Sequence, residues 1–289
     1  MAKPTFLDRG TPWLLSMPAL LLFLGLLAVP LTLTAILSLN AFDGMRGIQP
    51  ALGLQNYAEI LLDSYYHQIF LRTAGMALGV TFICILLGVP ETLILSRMTP
   101  LWRGSSFAII LGPLLISVVV RTLGWSVLLG NRGLVNSVLL GIGLIDQPLR
   151  LLFSMTGVII VLTHVFLPFM IIAVWSALQR LDRQVEHAAR SLGATSTSTF
   201  FRIILPQLMP GILSGAIIVF ALSASAFATP SIIGGRRVKV VATATYDEFL
   251  NSLNWPLGAA IAVLLLVAIV LVIVGSNRLV ERRFKEVFT

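Results

Sequence analysis

Charge is scarce in this chain, so every charged side chain inside an apolar stretch is a candidate for chemistry. Glu91 and Arg121 stand within or beside long hydrophobic blocks, where a charge costs about 2.5–3.5 kcal/mol to insert into a bilayer. Glu91 reads as a carboxylate that snorkels to a membrane surface or pairs with an arginine at the cytoplasmic end of its block. Arg121 reads first as an interfacial anchor near Trp125. Facing a solute route instead, it would oppose a cation and favour an anionic or zwitterionic solute. A second group sets Tyr246, Asp247 and Glu248 near Trp255. Carboxylates beside aromatic rings could receive an ammonium group by charge and cation–π attraction; a docking surface for a soluble partner and a plain solvated loop suit the same residues.

Other chemistry is poorly supplied. There is no G-x-x-x-x-G-K-[ST] phosphate loop, and the lysines are Lys3, Lys239 and Lys285 alone, so ATP is not expected to be hydrolysed by this chain. Neither H-E-x-x-H nor G-x-S-x-G occurs, and His67, His164 and His187 fall on different segments, which argues against an enzyme or a histidine metal site. Cys84 is the one cysteine; it builds no disulfide or metal cluster within the chain and reads as a packed small hydrophobe. The net charge of +8 is carried at the edges of apolar blocks, not in aromatic-flanked basic stretches, so nucleic acid is not an expected partner.

The elements that must position these residues are membrane helices. Of 289 residues, 57% are hydrophobic and 11% charged, against about 25% charged in a soluble domain. Six blocks approach or exceed the roughly 20 apolar residues that span a bilayer: Trp13–Leu39, Ile69–Leu95, Phe107–Leu129, Leu151–Leu178, Gly211–Pro230 and Pro256–Val274. The first is too long for a signal core of about 7–15 residues and reads as a retained helix, with Pro18 and Pro30 as candidate kinks. Twelve Lys and Arg fall before the first block, between the second and third, between the fourth and fifth, and after the sixth, against six on the other side. The positive-inside rule then puts both termini in the cytoplasm. Gly75 and Gly79 in the second block, and Gly211 and Gly215 in the fifth, are small residues one turn apart that permit close helix packing. The expectation is an all-α, six-helix membrane protein of one domain.

The most polar segment, 179–209, lies between the fourth and fifth blocks. Leu181, Val185, Ala188, Ala189 and Leu192 form one apolar helical stripe, with Asp182 placed to cap its start and Gly193 its end. A second apolar turn, Phe200 to Leu205, is expected to stop at Pro206. Within this segment stand His187-Ala188-Ala189, three residues, Gly193, nine residues, and Ile203-Ile204-Leu205-Pro206. That pattern resembles the cytoplasmic EAA loop of the permeases of binding-protein-dependent ABC importers: Glu-Ala-Ala, three residues, Gly, nine residues, Ile-x-Leu-Pro. The family's glutamate is His187 here, and Glu186 stands one residue earlier, about 100° away around a helix.

The likeness runs from about Asn56-Tyr57 through the sixth block. It includes Arg121-Thr-Leu-Gly-Trp125, Gly133-x-x-Asn136, Ile145-Asp-x-Pro148 and Asn254-Trp-Pro-x-Gly258, details that resemble the spermidine/putrescine-type permeases. The resemblance implies a coupling helix carried by Glu186, His187, Ala188, Ala189, Gly193, Ile203, Leu205 and Pro206. It further implies two cytoplasmic ATPase subunits that hold the ATP and Mg, a second and distinct permease, an extracytoplasmic solute-binding protein, and a polyamine or related small amino compound as solute. An ion-gradient-driven carrier is the main rival; it would show interrupted helices at related positions in two halves. An integral-membrane enzyme and a scaffold without solute flux are the others.

Overall fold

The computed structural model describes residues 6–181, 184, 185, 189 and 191–283. Its helices are α1 (Phe6–Leu37), α2 (Gln55–Leu62), α3 (Ser64–Arg97), α4 (Pro100–Leu111), α5 (Val118–Leu128), α6 (Leu134–Gly141), α7 (Met155–Leu178), α8 (Ser196–Ala224), α9 (Val241–Leu250) and α10 (Trp255–Arg283). Five are long and apolar enough to cross a membrane by themselves: α1 from Ser16, α3, α7, α8 and α10. A sixth span is supplied if the α4–α5 pair is counted as one.

That third span departs from the single helix expected over Phe107–Leu129. A 3₁₀ turn at Gly112–Leu115 is followed by Ile116 and Ser117 with extended ψ near 138° and 136°, and the two halves meet at 102°. Pro113 lacks the N–H that would continue the α4 ladder, and the extended pair after it starts a new helix on the β-branched run Val118–Val120. α1 runs from Phe6 to Leu37 through both Pro18 and Pro30 without an interruption.

Two compact units divide the chain. One comprises residues 1–63 and 245–264. It contains a small exception to the all-α expectation, a hairpin of β1 (Ala41–Asp43) and β2 (Gly47–Gln49) in antiparallel register, Ala41 opposite Gln49. Asp43 closes its turn by accepting the N–H groups of Met45 and Arg46 at 2.8 and 3.0 Å, and Gly47 supplies the left-handed φ of 73°. Buried Asn56 ties α2 to the end of α1, donating from Nδ2 to the carbonyls of Ser38 and Asn40. Asn254 begins α10, its Oδ1 accepting the N–H of Leu257.

The other unit comprises residues 64–244 and 265–289. Its core is the mutual packing of α3, α7 and α8 through Met76, Val80, Cys84, Val161, Val165, Met170, Leu208, Ile212 and Val219. The glycine pairs divide here. A Cβ on Gly211 would stand 2.4 Å from Ala177 Cβ and 2.9 Å from the Ala173 carbonyl, and one on Gly215 would stand 2.7 Å from Met170 Sδ, so α8 and α7 approach as closely as the small residues allow. Gly75 has nothing within 4 Å, and Gly79 only an ordinary contact at 3.5 Å; on α3 the tight position is Gly88, where a Cβ would meet Met170 at 2.8 Å.

Candidate functional site

The loop after α7 is set by two local motifs. Gly193 adopts φ 83°, and the Ala194 N–H reaches back to the Ala189 carbonyl at 3.1 Å, a six-to-one closure that ends a helix with glycine in the left-handed position. Gln184, Val185, Ala189 and Ser191 are helical, as the apolar stripe predicts. Glu186, His187, Ala188 and Asp182 lie outside the described residues. Thr195 then caps α8, its Oγ1 accepting the Ser198 N–H at 3.3 Å. Leu192 is 89% exposed, and Phe201 is exposed beside Phe200, ring to ring at 4.9 Å. Ile203, Leu205 and Pro206 are half-buried at the root.

The expected stop at Pro206 does not occur, because α8 continues through it to Ala224. Phe200–Ile204 is a π-helical turn in which the Leu205 N–H bonds the Phe200 carbonyl five residues back. The widened turn delivers the missing N–H of Pro206 where the ladder is already changing step, so the proline is accommodated instead of ending the helix. The second half of the loop, from Ser196, and the span are consequently one continuous helix.

A second cluster lies within the unit of residues 64–244 and 265–289. On α5, Arg121 precedes Trp125 by one turn, so both share a face. Trp125 donates from Nε1 to His164 Nδ1 on α7 at 3.1 Å, with ring centroids 5.3 Å apart and planes at 63°. Arg121 lies within electrostatic range of that histidine; its Nε and Nη1 are buried and make no hydrogen bond among the described residues. Thr122 behind them bonds Thr229 at 3.0 Å. The histidine was missed as a partner of Trp125 because the pair is separated by 39 residues on two helices; the one available signal was an imidazole in the middle of an apolar span. Glu91, half-buried on α3, forms no ion pair with an arginine among the described residues, so of its two readings the pairing is not formed there.

Tyr246, Asp247 and Glu248 stand on α9 and not on an irregular loop. Asp247 Oδ1 accepts from Asn251 Nδ2 at 2.9 Å, and Trp255 lies 6.3 Å from the Phe249 ring. Tyr246 and Trp255 are each close to half exposed. In the unit of residues 64–244 and 265–289, Arg236 and Arg237 share an open cleft of about 570 Å³ with Arg150, Asn131, Leu152 and Phe153. Buried Asn136 fixes the neighbouring turn: it donates to the carbonyls of Gly130 and Leu149 and accepts the Leu149 N–H, at 3.0, 3.0 and 2.8 Å.

Comparison with known families decides the identity of this arrangement. Residues 9–286 match the profile of the binding-protein-dependent transport system inner membrane component. The chain belongs to that family. The permease is 32% identical over 258 residues to the spermidine/putrescine transport system permease protein PotB of Haemophilus influenzae, covering 88% of this chain and 90% of that one. It is 32% identical over 244 residues to PotB of Escherichia coli, covering 83% and 88%. Its fold superimposes on a chain of a bacterial ABC transporter that imports the acidic polysaccharide alginate, with a TM-score of 0.73 at 19% identity over 96% of this chain and 97% of the other. The permease is therefore a multi-pass inner-membrane component of an ABC importer, a conduit and not an enzyme.

Proposed function

We propose that the permease forms half of the solute route in an ATP-driven importer, with both termini in the cytoplasm. A second, distinct permease completes the route, and two ATPase subunits holding the ATP and Mg dock against segment 179–209. An extracytoplasmic binding protein delivers the solute, a polyamine or related small amino compound, the class named for the PotB relatives.

The observation that carries the coupling role is the continuous helix from the second half of the loop into the span. The Gly193 closure leaves Leu192 almost fully exposed, and from Thr195 onward the chain is one helix that packs through Gly211 and Gly215 against α7. A push on the loop that reaches Thr195 would be passed along one helix to the middle of the membrane, as alternating access requires when nucleotide-driven closure of the ATPases opens the route outward and hydrolysis resets it. An exposed leucine there offers a partner apolar surface to bury, worth about 1.5–3 kcal/mol when fully covered. The bent α4–α5 span does not favour an ion-driven carrier, since it is the one broken pair among the described residues and an inverted-repeat carrier has such breaks in both halves.

Leu192→Glu tests the reading, because the side chain is nearly free of the fold. The variant is expected to reach the membrane in normal amount yet recover the ATPase at least about tenfold less well in affinity capture. Undiminished recovery together with full ATP-dependent uptake would refute the docking role.

A further inference from the structure

His164 is placed where lipid would be a poor neighbour. It is the tenth residue of α7, roughly 14 Å along the helix at about 1.5 Å per residue, so it sits near the middle of a hydrocarbon layer about 30 Å thick. Its side chain is exposed on the surface of the unit. An imidazole at that depth is costly against lipid tails, and polar groups there face a bundle interior or a water-filled route. The face that bears His164 and Trp125 thus looks onto the route or onto the second permease.

The chemistry of that face is one-sided. Trp125 Nε1–H occupies His164 Nδ1, so the neutral ring carries its proton on Nε2 and has only a donor left. Arg121 adds a guanidinium that offers donors and no acceptor, two of them buried and unbonded among the described residues. A half-buried guanidinium with two unbonded donors favours a counter-charge, and no carboxylate among the described residues pairs with it. A planar anion that takes two parallel N–H donors is what a guanidinium fits best.

We propose that Arg121 and His164, the latter fixed by Trp125, form a carboxylate-accepting station at mid-membrane depth on the route-facing surface of the permease. The proposal rests on the importer reading above and refines its substrate class. The carboxylate comes either from the solute, which then bears an acid beside its amine, or from a side chain of the second permease, which would neutralise Arg121 and let a purely cationic amine pass.

The test uses the complete importer in proteoliposomes, with its second permease, ATPases and binding protein, and two four-carbon amines as probes: putrescine, and 4-aminobutanoate, which replaces one amine by a carboxylate. Wild type must first show ATP-dependent uptake of at least one probe; its failure to do so would count against the importer reading before any variant is compared. If the solute supplies the carboxylate, Arg121→Gln lowers 4-aminobutanoate uptake at least about tenfold while changing putrescine uptake less than about twofold. If the second permease supplies it, R121Q lowers uptake of whichever probe is carried and recovery of that subunit in affinity capture, and Arg121→Lys restores both in part. Should R121Q fail to reach the membrane, His164→Phe, at an exposed position, is read in the same two ways. Uptake and subunit recovery within about twofold of wild type, in a variant present at normal amount, would overturn the station.

Discussion

Replacing Gly211 by alanine places one methyl group into the α7–α8 contact. The new Cβ would lie 2.4 Å from Ala177 Cβ and 2.9 Å from the Ala173 carbonyl oxygen, whereas carbons rest at about 3.5–4.0 Å. The helices must part by more than about 1 Å, and because the second obstacle is backbone, no rotamer change relieves it. Overpacking of this kind costs about 1–3 kcal/mol, and with two atoms in the way the upper half of that range is expected. For a chain of this size that corresponds to a midpoint lower by roughly 4–12 °C, measured as thermal loss of the monodisperse, detergent-solubilised permease. Ala177→Gly removes the nearer obstacle and leaves the carbonyl, so in a double-mutant cycle it should return about half of the loss after its own helix-propensity cost of about 1 kcal/mol is subtracted. Gly75→Ala is the control: nothing lies within 4 Å, and its midpoint should stay within about 2 °C of wild type. A Gly211→Ala variant as benign as Gly75→Ala, or one that Ala177→Gly does not improve, would refute the close approach.

Asn136→Leu keeps the side-chain branching, adds bulk and orphans the Leu149 N–H, while the carbonyls of Gly130 and Leu149 keep the N–H groups of Gly133 and Leu151; at about 1–3 kcal/mol for the one unsatisfied donor, a loss of that size is expected, read as new protease cleavage within 130–150. Gly193→Ala forces an L-residue to φ 83° with no steric obstacle nearby, costing about 1 kcal/mol and so about fivefold in ATPase recovery, while Gly193→Asn should lose less. The N–H groups of Met45 and Arg46 hold the Asp43 carboxyl below its ordinary range. A depressed carboxylate stabilises its turn above the ordinary value and loses that contribution as pH falls through the folded value, so amide exchange at Met45 and Arg46, relative to unprotected amides, should accelerate on acidification in wild type and already be fast in Asp43→Ala.

The spans were legible because about 20 apolar residues in a row have few alternatives, and the Gly193 stop because a left-handed helix end selects glycine. What escaped reading was decided between segments or by local ladder changes. Gly75 and Gly211 look alike in sequence, yet only Gly211 meets another helix; which face turns inward is a tertiary fact. Pro206 reads as a terminator until the π turn at Phe200–Ile204 absorbs it, and the break at Ile116–Ser117 depends on two backbone angles that no apolar pattern encodes. Tyr246–Glu248 read as loop because α9 is short and polar. The Trp125–His164 bond lay hidden for the same reason as the glycine contacts, since it joins two helices distant in sequence.

The most direct test of the importer is solute uptake into sealed vesicles containing the permease, its second permease and the ATPases, with the binding protein supplied on the face opposite the ATP. The account predicts accumulation that requires both ATP and the binding protein and is abolished when either is withheld. Accumulation that proceeds without ATP and follows an imposed ion gradient would contradict it.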